Sequence, residues 1–560
     1  MVRAFLSTAL GEARGLHKAA YILAGFALGS QLLALVRDRL LAATFGAGQT
    51  LDVYYAAFRV PDLLFATVAS LLSLYALLPI LSRYSTEDAG KMISFLRGTL
   101  LVFFVGMGAI CGVLYFFLPY LVPLVAPGIT DAVAQENLLL LAQILLLQPI
   151  LLGASNIVAS FTQLKHRFFL YSISPLLYNL GIIVGVIALY PLFGIAGLGW
   201  GVVLGAFLHL LVQIPFFLLH GSQPLALSSI WKPLGEVLKL SIPRTLALAA
   251  GQISLLVLIA MASLYAEGSI AIFMFAWNLQ AVPLTIIGVS YSVAAFPTLA
   301  RLHALGSKYE FINHIESALR HILFWSIPAM VLLVVLRAQI VRVILGSGAF
   351  DWEATRLTAA ALALFALSLC AQGMVLLIAR AYYAAGKTAV PLILGVIAVS
   401  VTVVTAVVLV FLFRLSELAQ LFLENLLRVT NIGDTTILML ALAYTIGALV
   451  QGIVGLMYLK KDFHVAYRGL LRLFFQSGSA AVVGGVAAYG VLTIMGSVVD
   501  INTLIGILLQ GVLAGIVGLL ATALMLLFLK NQEILEAYAS FKRRLIEAPQ
   551  VTIESTDVSS

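Results

Sequence analysis

Residues 389–413 read AVPLILGVIAVSVTVVTAVVLVFLF, a run without a single charge. About 20 mostly apolar residues carry a helix across a hydrocarbon core. The run is continuous rather than alternating at period two, so a transmembrane strand is excluded. It is a spanning helix, and the rest of the chain repeats its signal. Of 560 residues, 62% are hydrophobic and only 10% charged, against roughly a quarter charged in a soluble domain. Windows of this length predict fourteen spans: 19–44, 53–82, 93–118, 134–160, 168–190, 196–219, 234–264, 269–299, 313–336, 355–383, 389–413, 435–459, 470–496 and 502–529. The expected fold is an all-α polytopic membrane protein.

Between the eleventh and twelfth spans, Leu418, Leu421, Phe422 and Leu426 recur at helical spacing, which predicts an interfacial helix. Arg3, Glu12, Arg14, His17 and Lys18 interrupt the first residues, so no cleavable signal peptide is expected. Cys111 and Cys370 sit singly in apolar runs and read as packing residues.

The basic residues orient the chain. With the N-terminus inside, 23 of the 32 Lys and Arg fall in inner segments, five in outer connections and four within spans. The positive-inside rule then puts both termini in the cytoplasm, and the net charge of +8 needs no nucleic-acid partner. A faint repeat is also present. Leu78-Pro79-Ile80-Leu81-Ser82-Arg83 resembles Phe296-Pro297-Thr298-Leu299-Ala300-Arg301 at an offset of 218 residues, and Pro175 and Pro391 recur at an offset of 216. Six spans separate each pair, so the halves are parallel, related by an axis along the membrane normal. This predicts an N-lobe over 1–220, a cytoplasmic linker over 221–232 and a C-lobe over 233–460. Two extra spans over 461–530 and a cytoplasmic tail over 531–560 follow.

Ionisable side chains inside spans are expensive and mark function by default. Arg37, Asp38 and Arg39 lie in span 1, Arg59 and Asp62 in span 2, and Asp52 at the outer start of span 2. Arg59 and Asp62, three apart, share a helix face and can pair. They form either a neutral lock between helices or part of an anion-attracting wall. Four in-span arginines against two in-span acids favour an anionic substrate, because guanidinium forks suit phosphate oxygens. Arg244, after Pro243, either snorkels to the interface or faces the other arginines. Gln252 and Asn278 read as interhelical hydrogen-bonding groups or ligand contacts. Pro61, Pro79, Pro283 and Pro297 interrupt spans 2 and 8 as fixed kinks or as hinges. There is no metal-ligand spacing, nucleophile–base pair or nucleotide motif, so neither an enzyme, a cofactor, a metal nor an ATP-driven pump is expected.

Ser30-Gln31-Leu32-Leu33-Ala34-Leu35-Val36-Arg37-Asp38, Phe45-Gly46-Ala47-Gly48 with Asp52, and Ala57-Phe58-Arg59-Val60-Pro61-Asp62-Leu63-Leu64 resemble the opening of the MurJ/MviN family. These are lipid II flippases of the multidrug/oligosaccharidyl-lipid/polysaccharide exporter superfamily. Gln252-Ile253-Ser254, Gly268-Ser269, Pro297-Thr298-Leu299 and Ala381-Tyr382-Tyr383-Ala384 extend the resemblance over roughly 19–460. It implies a V-shaped two-lobe flippase of the bacterial cytoplasmic membrane whose central cationic cavity takes a lipid-linked anionic glycan. It also implies a groove on spans 13–14 for the polyprenyl tail, a monomer among membrane lipids, and contact with cell-wall synthesis machinery. Family arginines fall here at Gln31, Phe65 and Asn278. Arg37 and Arg59 are then the expected headgroup site, with Arg39 or Arg244 replacing the missing cations. Asp38, Asp52, Asp62, Gln31, Gln252 and Asn278 are the expected polar lining. The competing readings are an exporter of another lipid-linked glycan or of a drug-like solute, and a membrane scaffold. A cation exporter calls for acids rather than arginines in its cavity.

Overall fold

The computed structural model describes residues 16–72, 77, 80–84, 89–218, 230–500 and 503–535. Pro79, the linker over 221–229 and most of the C-terminal tail lie outside the described residues. Among those described there are helices and no strands. Each expected span has a helical counterpart. The helices are α1 (Leu16–Phe45), α2 (Gln49–Ala57, Arg59–Thr67 and Ala69–Leu72), α3 (Ala89–Val125), α4 (Ala132–Leu164), α5 (Phe168–Phe193), α6 (Ile195–Leu218) and α7 (Trp231–Ala262). They continue as α8 (Ser269–Ala304), α9 (Lys308–Val335), α10 (Trp352–Ala366 with Leu369–Ala384), α11 (Ala389–Leu415), α12 (Ile437–Phe463), α13 (Arg468–Val498) and α14 (Leu504–Phe528). By length and composition eleven of these helices are able to cross a membrane, or twelve with the bent α10 as one span. The expected fourteen adds α1 and the broken α2 to these, helices that stand where spans 1 and 2 are expected.

The breaks have local causes. Pro61 has no N–H to give Ala57, and α2 breaks at Phe58. Pro149 likewise gives nothing to Leu145, and α4 breaks at Leu146. In α10 the Ser368 hydroxyl bonds the Phe365 carbonyl at 2.6 Å, competing with the helix ladder, and the two pieces meet at 47°. In α8 a wide π-turn, Thr285–Val289, follows Pro283 and absorbs the missing bond. Pro297 lies within the helical stretch beyond it.

Packing repeats between the halves. In the first, α1 packs on α5, α5 on α6, α4 on α6, α2 on α4 and α3 on α4. In the second, α7 packs on α11, α11 on α12, α10 on α12, α8 on α10 and α9 on α10. Even the caps repeat. Asp131 accepts from the Ala134 amide at the start of α4, and Asp351 from the Ala354 amide at the start of α10, 220 residues later. α13 and α14 pair with each other and lean on α9.

The lobes meet along α2, which touches α7 and α8, and one apolar core runs through both. At the end bearing the 46–48 turn, called distal below, the aromatic seam Tyr55–Phe275–Phe350 crosses the interface with ring centroids 5.8 and 5.6 Å apart. Toward the other end, the Ser70 and Thr245 hydroxyls lie 3.0 Å apart between α2 and α7, and Arg83 is 3.9 Å from Glu236.

Candidate functional site

Three clusters of polar groups line the contact between the lobes. The first grows from α1. Arg37 Nε and Nη2 both donate to Asp38 Oδ1, at 2.9 and 2.7 Å, and Nη1 donates to Asn179 Oδ1 on α5 at 2.9 Å. Asn179 sits four residues beyond Pro175 and donates to its carbonyl and to the Ser30 hydroxyl. The other oxygen of Asp38 accepts from Asn278 Nδ2 on α8 at 3.1 Å. Asn278 thus ties the second lobe to the ion pair of the first.

The second cluster is the broken part of α2. Arg59 is buried. Its Nε donates to the Tyr55 carbonyl at 3.2 Å and its Nη2 to Asp62 Oδ2 at 3.4 Å. Gln148, placed by the break in α4, lies beside Asp62. Among the described residues Arg59 Nη1, Tyr55 Oη and Gln148 Oε1 are buried without a hydrogen-bond partner. Unpaired buried polar groups are costly, so three together mark a place prepared for something else. The Arg37 and Asp62 side chains keep 19% and 27% exposure, so both clusters remain partly open.

The third cluster closes the distal end. Asp52, in the first turn of α2, accepts from the Gly268 and Ala271 amides at 2.7 and 2.8 Å. Glu267, just before α8, accepts from the Gln49 amide at the start of α2 at 2.8 Å. Each lobe thus caps a helix of the other, carboxylate against helix N-terminus. Gly268 has φ +87° and lies so close that a Cβ there would stand 2.1 Å from the Ala47 carbonyl oxygen. Gly128 N also donates to Ser263 Oγ across the interface at 3.0 Å.

The expected site residues therefore separate. Arg37, Asp38 and Asn278 form one network, and Arg59 and Asp62 a second. Asp52 belongs to the distal seal, where it meets backbone amides rather than a cation. Arg39, expected beside the headgroup arginines, points to the distal end. Its Nη1 donates to the Val343 and Ile344 carbonyls, at 2.5 and 3.4 Å, at the C-terminus of the short helix Arg337–Ile344, where free carbonyls attract a cation. Arg244 stands next to Thr245, which meets Ser70, about 16 Å along α2 from Arg59 at 1.5 Å per residue. Gln31 and Gln252 are half-buried and join neither network. The sequence reading missed Asn179, Gln148, Tyr55 and Glu267. A lone Asn or Gln inside an apolar span was the available signal for the first two.

Against known proteins, residues 41–510 match the family model described as Lipid II flippase MurJ. A "Probable lipid II flippase MurJ" of Buchnera aphidicola subsp. Acyrthosiphon pisum is 30% identical over 65% of this chain and 72% of its own length. A "Lipid II flippase MurJ" of Burkholderia cenocepacia is 25% identical over 84% and 88%. Among solved structures, "Lipid II flippase MurJ, inward closed conformation" superposes with a TM-score of 0.69 at 23% identity, covering 90% of this chain and 99% of the other. That structure shares the fold. The chain belongs to the lipid II flippase MurJ family of multi-pass membrane proteins.

Proposed function

We propose that this chain carries lipid II, a polyprenyl-pyrophosphate-linked peptidoglycan precursor, from the inner to the outer leaflet of the bacterial cytoplasmic membrane by alternating access. It acts as a transporter and not as an enzyme. The observation that carries the reading is the buried Arg59, whose Nη1 has no hydrogen-bond partner among the described residues, on the helix that touches the opposite lobe. A diphosphate leaving water meets a large penalty in low dielectric, and guanidiniums held in place by Asp38 and Asp62 offset it. Arg37 and Arg59 bind the pyrophosphate in this scheme. Asn278, where the family pattern has arginine, keeps Asp38 oriented. Pro61, Pro283 and Pro297 supply the bends about which α2 and α8 move.

Residues 1–220 and 233–460 act as the two rocking lobes, and both termini face the cytoplasm. The tail rides on α13 and α14, whose small residues Gly484, Gly485 and Gly518 permit close packing and a shallow groove. An apolar groove between α2, α3 and α7, lined by Val60, Leu63, Thr67, Leu121 and Leu256, is the competing place for it. The protein works as a monomer and hands its cargo to the cell-wall synthesis machinery. A cation or drug exporter is disfavoured because Asp38 and Asp62 are each engaged by an arginine, while Asp52 and Glu267 are taken up by the helix starts they cap.

Depletion complementation tests the reading. In cells stripped of their own flippase, this gene should restore growth together with surface accessibility of lipid II. Normal membrane abundance with neither restored would overturn it.

A further inference from the structure

Glu417–Leu427 lies between α11 and α12 at the distal end. The Ser416 hydroxyl caps its start, and Arg428 in the left-handed region (φ 60°) ends it. Its faces are sorted unlike those of a water-facing helix. Gln420 and Glu424 turn toward the protein: Gln420 Nε2 donates to the Phe413 carbonyl at 2.8 Å, and Glu424 Oε1 accepts from the Thr435 hydroxyl at 2.8 Å. Leu427 is buried beside them. Outward stand Leu418, Leu421, Phe422 and Leu426, with 79%, 52%, 63% and 61% of their surface uncovered.

That outward strip continues the uncovered face of α11, formed by Val404, Val407, Val408, Phe411, Leu412 and Leu415. On α11, a helix long and apolar enough to span, the uncovered face meets acyl chains. Its continuation around the turn at Ser416 therefore stays in apolar surroundings at the edge of the same leaflet. Exposed Glu417 and Asn425 flank the strip and reach the headgroup zone, the arrangement of an interfacial helix.

The helix is also firmly fastened. Arg356 of α10 donates to the Arg428 carbonyl at 3.0 and 2.7 Å and to the Thr430 carbonyl at 3.1 Å. Arg428 Nη2 reaches Tyr489 Oη on α13 at 3.2 Å. The Arg414 guanidinium lies 5.1 Å from the centre of the Tyr265 ring, in the turn that carries Glu267 and Gly268 of the distal seal. We infer that Glu417–Leu427 is a bilayer anchor. It embeds Leu418, Leu421, Phe422 and Leu426 among the lipids of the distal leaflet and fixes the depth of the second lobe, so that gate opening is a movement of the first lobe against an anchored second.

The test is spin-label accessibility in the full chain, reconstituted one copy per lipid nanodisc. Cys111 and Cys370 are buried, so a label on Phe422→Cys or Leu418→Cys reports its own position. Neither side chain is covered by the rest of the protein, so neither substitution threatens folding. The anchor requires both labels to collide more with oxygen than with a water-soluble nickel chelate, at a depth below the phosphates. The reverse ratio would place the strip in water and overturn the inference. Low collision with both reagents would mean that protein covers it, such as a second copy, and would overturn it equally.

Discussion

Arg37 and Arg59 differ in what they leave unfinished. All three nitrogens of the Arg37 guanidinium are engaged, by Asp38 and Asn179, whereas Arg59 keeps Nη1 unpaired beside the unpaired Tyr55 hydroxyl. A charge-assisted hydrogen bond contributes about 1.5–3 kcal/mol. Arg59→Ala should therefore lower substrate affinity roughly ten- to hundredfold at normal membrane abundance, measured by binding of a labelled undecaprenyl pyrophosphate. Arg59→Lys should recover only part, since an ammonium lacks the planar fork. Wild-type affinity in Arg59→Ala would show the Arg59–Asp62 pair to be structural alone. Asn278 is milder. Its bond to Asp38 crosses the lobes, and interhelical side-chain bonds in membranes average about 0.6 kcal/mol. Asn278→Ala should lower the melting temperature slightly while flipping persists; an abolished activity would instead make Asn278 a substrate contact. The charged members of these networks were legible because an arginine inside an apolar run stands out. Of their neutral partners only Asn278 was: Asn179 and Gln148 gain meaning only when α5 and α4 are laid against α1 and α2.

At the scale of elements, prolines foretold that α2 and α8 would be interrupted. They did not foretell that Ser368 would bend α10 as Pro149 breaks α4. A serine competes for a carbonyl only in context, and no spacing rule reveals it. The short helix Arg337–Ile344 was likewise hidden in a connection, and with it the destination of Arg39. The turn before α8 gives a sharp prediction. Gly268→Ala puts a methyl 2.1 Å from the Ala47 oxygen at a left-handed φ, so the distal contact must separate. Labelling of Ser269→Cys, buried at the closed distal contact, by an impermeant maleimide from the distal side should rise several-fold, and an unchanged rate would show that the seal tolerates the strain. For α13 and α14, a photoreactive polyprenyl tail should crosslink to these helices. Crosslinks confined to Leu63 and Leu121 would move the tail to the groove beside Arg59.

For the whole molecule, the repeated packing pattern and the matching caps Asp131 and Asp351 give the two halves one packing plan. The faint proline offsets in the sequence pointed the same way, whereas the contact of α2 with α7 and α8 left no trace in it. Contacts between lobes depend on the state the molecule occupies, and hydropathy is blind to state. The 23-to-5 division of basic residues predicts that a cysteine placed beside Lys530 is shielded from impermeant reagents outside the cell. Ready labelling there would invert the orientation of every helix.

The crossed capping of α2 and α8 has an electrical corollary. While the distal end is shut, the negative charges of Asp52 and Glu267 are answered by the helix starts they cap. Separating the lobes adds no charge, but it takes each carboxylate away from the roughly half positive charge of the helix start it caps and breaks the three bonds that Asp52 and Glu267 make to backbone amides. Water replaces those bonds without the alignment of the helix start. The pair of caps therefore acts as a latch: it weights the molecule toward the shut state, and whatever opens the distal end has to overcome it.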